Sequence, residues 1–211
     1  MSSTINVFQL TNEGCKILFE EKQALHSYSE HLLFPAELTE FQEIKTDSRK
    51  IEFLGVRKLR SFCGLNSAIF YTTSRKPHLD ASIEKEISIS HSKNYCALAL
   101  DSKAIGLDIE EINDRILKVS SKFMNEDERA FIPSDDKTEL TKLWCMKEAM
   151  FKLNSRSGID FKSELLVKHQ EGDAYASNAE VNEEALTVDG KTVETYEQNG
   201  DKSYTVKYDD G

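Results

Sequence analysis

Ile87-Ser88-Ile89-Ser90-His91-Ser92-Lys93-Asn94-Tyr95-Cys96-Ala97-Leu98-Ala99-Leu100-Asp101-Ser102-Lys103-Ala104-Ile105-Gly106-Leu107-Asp108-Ile109-Glu110 is the stretch on which the fold turns. Apolar residues alternate at Ile87 and Ile89 and run unbroken from Tyr95 to Leu100, as half-buried and buried strands do. Lys93-Asn94 and Asp101-Ser102-Lys103 supply turns, and Ala104 to Ile109 reads as a third strand. On either side the periodicity becomes helical. Upstream, Thr46-Asp47-Ser48 offers N-cap oxygens, and Ile51, Leu54, Leu59 and Phe62 recur at helical spacing until Gly64 can stop the helix. Downstream, a helix near Ile116 to Phe123 precedes a stronger one from Glu139 to Leu153, whose Leu143, Met146, Met150 and Leu153 form one apolar stripe. From Asn12 to Leu33, the recurrence of Leu18, Leu25 and Leu32 predicts one or two short amphipathic helices that end at Pro35. Beyond Gly158, strands are expected at Leu165 to His169, Ala185 to Val188, Lys191 to Tyr196 and Tyr204 to Tyr208, closing an antiparallel sheet. Helices and antiparallel strands in this order make the class α+β.

The 211 residues suit one large domain or two of about 100 residues. Hydrophobic residues at 39% with only 9 Gly and 3 Pro exclude a disordered or collagen-like chain. No Gly/Ser linker or repeat is visible, so any two halves are packed rather than tethered. Charge divides unevenly: residues 1–104 hold 13 Lys+Arg and 13 Asp+Glu, whereas residues 105–211 hold 14 and 24. An acidic total argues against broad binding to nucleic acid or an anionic membrane. No run approaches the roughly 18 apolar residues of a membrane span. The first residues lack a basic region before Glu13, so no signal peptide is expected, and a cytoplasmic monomer follows. Cys15, Cys63, Cys96 and Cys145 stand far apart, which favours buried thiols over a zinc knuckle or a disulfide framework.

Three constellations could carry chemistry. In Gly106-Leu107-Asp108-Ile109-Glu110, the two-residue pleat puts Asp108 and Glu110 on one face. Such a pair either faces water at a strand end or shares a cation, and oxygen ligands suit Mg²⁺. In Trp144-Cys145-Met146-Lys147-Glu148-Ala149-Met150-Phe151-Lys152, residues Trp144, Glu148 and Lys152 share a helix face away from the Leu/Met stripe. They make either a surface ion pair or a third carboxylate for the same metal. Ser88-Ile89-Ser90-His91-Ser92, at a strand end, holds either a structural histidine or groups that meet phosphate. No G-x-S-x-G elbow, Walker loop or G-x-G-x-x-G fingerprint is present. Arg49, Lys50, Arg57, Lys58 and Arg60 make the one dense basic segment of an otherwise neutral half.

Read in order, Arg75-Lys76-Pro77, Ile89-Ser90-His91-Ser92, Gly106 to Glu110, Phe123 to Glu128 and Trp144 to Lys152 resemble the 4′-phosphopantetheinyl transferases of the surfactin-synthetase-activating (Sfp) type. The resemblance covers about residues 72–153, with looser support from Phe53-Leu54-Gly55 and Arg57. It implies two similar α+β halves in one chain, residues 1–103 and 104–211, a pseudo-dimeric arrangement with the active site between them. The activity implied is Mg²⁺-dependent transfer of the phosphopantetheine arm of coenzyme A to a serine of an apo acyl or peptidyl carrier protein, releasing adenosine 3′,5′-bisphosphate. Asp108, Glu110 and Glu148 match the Mg²⁺ ligands, and Lys152 matches a phosphate-contacting lysine. Glu128 matches a candidate general base, the alternative acceptor of the serine proton being a metal-bound water. Lys76, Pro77, Ser90 and His91 match coenzyme A contacts. Two departures stand out. The family's G-K-P has Arg75 in place of glycine, and Pro35-Ala36-Glu37-Leu38-Thr39-Glu40 lacks the lysines that some relatives use for the ribose phosphate. Arg49 or Arg57 is the expected replacement. The competing readings are a non-catalytic coenzyme A or carrier-binding module and a Mg²⁺-dependent pyrophosphate hydrolase.

Overall fold

The computed structural model describes residues 7–12, 15–23, 25–154, 156, 158–167, 193–198 and 201–207. It separates into two compact units, Met1–Ser102 and Lys103–Gly211. Both mix helices with antiparallel sheet, in keeping with the α+β class.

The first unit is built on a four-stranded antiparallel sheet of order β1-β2-β6-β5. Its strands are β1 (Val7–Asn12), β2 (Cys15–Glu21), β5 (Glu86–His91) and β6 (Tyr95–Asp101). A small β3–β4 hairpin (Phe70–Tyr71 and Pro77–His78) stands apart from it. Strand β2 corrects the sequence reading, which put one or two short amphipathic helices between Asn12 and Leu33; among the described residues of that stretch only the 3-10 turns Leu25–Ser27 and Glu30–Leu32 are helical. The seven-residue spacing of Leu18, Leu25 and Leu32 fits a helix, but Ile17, Leu18 and Phe19 are all buried where β2 runs antiparallel to β6. Long-range pairing overrides the local period there. Pro35 likewise opens a helix rather than closing one: α1 (Pro35–Glu43) has the proline in its first turn, where the missing N–H costs nothing.

Helix α2 (Asp47–Phe62) forms as its caps predict. The Thr46 hydroxyl accepts from Arg49 N, and Gly64 past the end has φ 71°. The helix packs against β2 and β6, burying Val56 and Leu59 among Leu18, Ile69, Leu79, Ile87, Leu98 and Leu100. A second cluster, Tyr28, Phe41, Phe53 and Leu54, joins α1 to α2. Contact with the sheet is close at Gly55, where a Cβ would lie 2.8 Å from Cys96 Sγ.

The second unit pairs β7 (Ile105–Glu111) antiparallel with β9 (Asp201–Lys207), which pairs in turn with β8 (Val193–Gln198), in the order β7-β9-β8. The expected antiparallel sheet is present, with β8 and β9 over the described parts of the Lys191 to Tyr196 and Tyr204 to Tyr208 readings. Leu165 to Val167 is not a strand; the rest of that segment and Ala185 to Val188 lie outside the described residues. Helices α3 (Arg115–Val119), α4 (Glu126–Arg129) and α5 (Lys137–Asn154) complete the unit. The α5 stripe of Leu143, Met146, Met150 and Leu153 lies in one core with Phe123, Met124, Leu140 and Leu165. Helix α5 rests on β7 so closely that a Cβ on Gly106 would lie 1.9 Å from the Ala149 carbonyl oxygen. The glycine of the Gly106–Glu110 motif is therefore a packing requirement. Gly106→Ala is expected to destabilise the fold by about 3 kcal/mol, because main chain must move to admit the methyl; an unfolding midpoint in denaturant equal to that of the parent would contradict this.

One polar device recurs in both units. Glu37, in the first turn of α1, accepts from Phe34 N at 3.0 Å, from Arg57 and Arg60 of α2, and from Ile69 N beyond α2. Glu128, in the first turn of α4, accepts from Asn125 N at 2.9 Å, from Lys147 of α5, and from Val167 N beyond α5. Each is a buried carboxylate that caps a short helix, neutralises a cation on the following long helix and ties down the chain after it. Direct inspection of the sequence reveals no such repeat, since only the glutamate and a basic residue are in common.

Candidate functional site

The second unit brings together Asp108, Glu110, Glu148 and Lys152. Strand β7 places Asp108 and Glu110 one pleat apart, and α5 presents Trp144, Glu148 and Lys152 at four-residue intervals toward them. Lys152 Nζ donates to Asp108 Oδ1 at 2.7 Å and to the Leu107 carbonyl at 2.9 Å. Trp144 Nε1 donates to Glu110 Oε1 at 3.3 Å. The indole is fixed between Phe123 and Phe161, with ring centroids 5.0 and 5.3 Å away. Cys145, wholly buried, adds a thiol hydrogen-bonded to Asp108, and burial pushes its pKa well up, out of the reactive range.

The electrostatics of this cluster are those of a site with too much negative charge. Burial first, and then the charge of Asp108, push the Glu148 carboxyl up to about 7 despite the pull of Lys152; Glu110 adds to the rise. Burial and Asp108 also raise Glu110, partly offset by the Trp144 hydrogen bond. Each carboxylate makes the next harder to ionise, which is the donor chemistry that a divalent cation relieves. Among the described residues, however, no group of three or more His, Cys, Asp and Glu side chains is arranged to hold a metal ion. The ammonium of Lys152 pairs with Asp108. The donor set fits Mg²⁺ in chemistry: three carboxylates from β7 and α5, two of them raised by burial and by the charge of Asp108.

Glu128 does not stand with these groups. It is 0% exposed, as is its partner Lys147, whose Nζ lies 2.8 Å from Glu128 Oε2. Lys147 also donates to the Phe123 and Phe161 carbonyls at 2.6 and 2.8 Å. Both carboxylate oxygens are hydrogen-bonded inside the core, to Lys147 Nζ, Asn125 N and Val167 N, so in this structure Glu128 acts as an architectural group set away from the Asp108–Lys152 pair. Asn125-Glu126-Asp127-Glu128 is the capping-box pattern, and that signal was legible in the sequence.

In the first unit the basic segment of α2 is mostly committed internally. Arg57 and Arg60 bind Glu37, and the Arg57 guanidinium lies 3.4 Å from the centroid of the Phe53 ring. Burial alone would raise Glu37, but the Ile69 N–H and these two guanidiniums hold its carboxyl below the usual range. With 1% exposure, Arg57 cannot serve as the phosphate ligand expected of it. Lys58 pairs with Glu20. Arg49 is different: its side chain is 64% exposed, and its Nη1 lies 3.3 Å from His91 Nε2, across 42 residues of sequence. Ser90 is buried on β5, and Ser92 closes the β5–β6 turn by accepting from Asn94 N and Tyr95 N. Lys76 pairs with Glu86 at 3.4 Å, and half-buried Pro77 opens β4. Arg75 takes φ 64°, so the left-handed turn that suits glycine is kept although the glycine is not. Sequence reasoning missed Lys22 and Glu52, which join Arg49 and His91, because no short-range pattern marks them.

Among the described residues no helix is long and apolar enough to cross a membrane. Comparison with known proteins places the second unit. Residues 104–206 match the family model of the 4′-phosphopantetheinyl transferase superfamily. The chain is 30% identical over 102 residues to the 4′-phosphopantetheinyl transferase Sfp of Bacillus subtilis (strain 168), covering 46% of each protein. It is 32% identical over 81 residues to another 4′-phosphopantetheinyl transferase of Bacillus subtilis, covering 36% of each. To 4′-phosphopantetheinyl transferase gsp of Aneurinibacillus migulanus it is 30% identical over 81 residues, covering 36% of this chain and 33% of that one. The chain thus spans less than half the length of each of these relatives. The matched region contains both carboxylate motifs, and the resemblance read from them holds.

Proposed function

Residues 104–206 are of the 4′-phosphopantetheinyl transferase superfamily, and from that premise we propose that the chain transfers the phosphopantetheine arm of coenzyme A to a serine of an apo acyl or peptidyl carrier protein. The observation that carries this reading is the convergence of Asp108, Glu110 and Glu148 from β7 and α5, with Lys152 already bound to Asp108. In the reaction the serine oxygen forms a bond to the phosphorus of the arm. The bridging oxygen leaves with adenosine 3′,5′-bisphosphate, and the serine proton is released. Asp108, Glu110 and Glu148 would hold Mg²⁺, which when bound supplies positive charge to the pyrophosphate. Trp144 holds Glu110 in place, and Lys152, turned from Asp108, offers an ammonium to the leaving phosphate. Lys76, Pro77, Ser90, His91 and Arg49 are assigned to coenzyme A, whereas Arg57 and Glu128 are not assigned to substrate. A cytoplasmic monomer remains part of this proposal.

The test is release of adenosine 3′,5′-bisphosphate from coenzyme A with and without an apo carrier. Release that requires the carrier supports transfer. Equal release without it would show water to be the acceptor and make the chain a hydrolase, and no release with any carrier would leave a binding module.

Cation binding has its own signature. Glu148 titrates in the fold above its ordinary value of 4.5, so its protonation stabilises the metal-free protein. That contribution is full below about pH 4.5 and is lost as pH rises through about 7. A cation that binds the ionised carboxylates acts in the opposite sense. Mg²⁺ at about 100 times its dissociation constant should raise Tm by about 5–10 °C near pH 8, and by clearly less near pH 6. No shift near pH 8, or an equal shift near pH 6, would contradict the assignment.

A further inference from the structure

Glu52, on the second turn of α2, binds three positively charged or proton-donating side chains at once. Its Oε2 lies 2.7 Å from Arg49 Nη1 and 3.4 Å from His91 Nε2, and its Oε1 accepts from Lys22 Nζ at 3.0 Å. The four residues come from β2, α2 and β5 or their ends, so the cluster is a product of the fold. Lys22 also donates to the Ser92 carbonyl at 2.6 Å, which anchors it to the turn that follows His91. The two inner members are largely covered, with Lys22 and Glu52 side chains 12% and 13% exposed, while Arg49 and His91 open to solvent. Burial alone would raise the Glu52 carboxyl; its cationic neighbours hold it below the usual range, so it stays ionised.

We propose that Glu52 is a positioning residue that holds the Arg49 guanidinium and the His91 imidazole side by side as a clamp for a phosphate group of coenzyme A. This rests on the transferase reading above. A flexible arginine at a helix start loses much side-chain freedom when it grips an anion, and a partner that has already ordered it removes part of that cost. Planar guanidinium geometry leaves further N–H groups for the ligand while one is held by the carboxylate. With Lys22 and Arg49 against Glu52, the cluster keeps a net positive charge, which becomes larger once His91 is protonated.

The proposal reverses the simple electrostatic expectation. A carboxylate beside an anion site repels the ligand, so neutralising it should tighten binding if it does nothing else. Calorimetric titration of the whole chain with coenzyme A separates the two. Glu52→Gln is expected to weaken binding about tenfold, Glu52→Asp by less, and in the Arg49→Gln background Glu52→Gln should cost clearly less than it does in the parent, because only His91 is then left for it to position. Coenzyme A affinity of Glu52→Gln equal to or above that of the parent would overturn it, whatever happens to Tm. Parent-like affinity in both Arg49→Gln and His91→Gln, with carrier still modified, would also overturn it while leaving the transferase reading intact. Failure of the parent itself to bind coenzyme A would overturn both.

Discussion

Glu128→Gln is expected to destabilise the second unit by about 3–5 kcal/mol, the cost of stranding a buried cation without its partner. Lys147 would keep its two carbonyl acceptors, at 2.6 and 2.8 Å, but lose its counter-charge. Burial already lowers the Lys147 pKa against the opposing pull of Glu128, so without the carboxylate the amine would be driven further toward its neutral form. Thermal and denaturant unfolding measure the loss. The Glu128→Gln, Lys147→Met pair separates architecture from chemistry, because a glutamine oxygen can still accept from Val167 N or Asn125 N and no buried charge remains. That double variant should recover a large part of the stability and, once folded, transfer at a rate within about tenfold of the parent. A folded double variant that has lost transfer a thousandfold would return Glu128 to the catalytic set.

The opposite pattern is expected at the carboxylate cluster. On the proposed reading, Asp108→Asn and Glu148→Gln should each lower transfer by about 10³-fold or more, because each removes a donor and charge from the proposed Mg²⁺ site. Neither should unfold the protein. Glu148→Gln removes a group whose ionisation the fold opposes, so near pH 8 the metal-free variant should melt at or above the temperature of the parent. Asp108→Asn releases the Lys152 ammonium, held at 2.7 Å, and its stability loss should be modest because the lysine can reach water. Lys152, held by Asp108 and the Leu107 carbonyl, is proposed to aid the leaving phosphate without holding the cation, so Lys152→Met is expected to cost less, about 10²-fold in kcat. Loss of transfer with an intact melting curve is the signature that distinguishes this cluster from the Glu128–Lys147 pair. A parent-like rate in Glu148→Gln would remove it from the metal set.

The sequence carried the α+β class, helix α2, helix α5 and the strands from β5 to β7, because caps and apolar periods coincide there. It misled at β2, where a leucine period suggested helix and pairing with β6 decided otherwise. The cluster of Asp108, Glu110, Glu148 and Lys152 was legible because a two-residue pleat and a four-residue helix spacing each fix one side of it. The burial of Arg57 and Glu128 was hidden for one shared reason: charged residues are seldom buried, and a sequence does not show which will find a buried partner. Glu37 and Lys147 are those partners, each about 20 residues away. Glu52 and Lys22 were hidden similarly, since their meeting with His91 depends on how β2, α2 and β5 are brought together.

Intact-mass measurement of an apo carrier protein incubated with the chain, coenzyme A and Mg²⁺ tests the central claim most directly. The carrier should gain one phosphopantetheine, a carrier with its acceptor serine replaced by alanine should gain none, and Asp108→Asn should leave the native carrier unmodified. A native carrier panel that stays at its apo mass, with coenzyme A bound or hydrolysed instead, would contradict it.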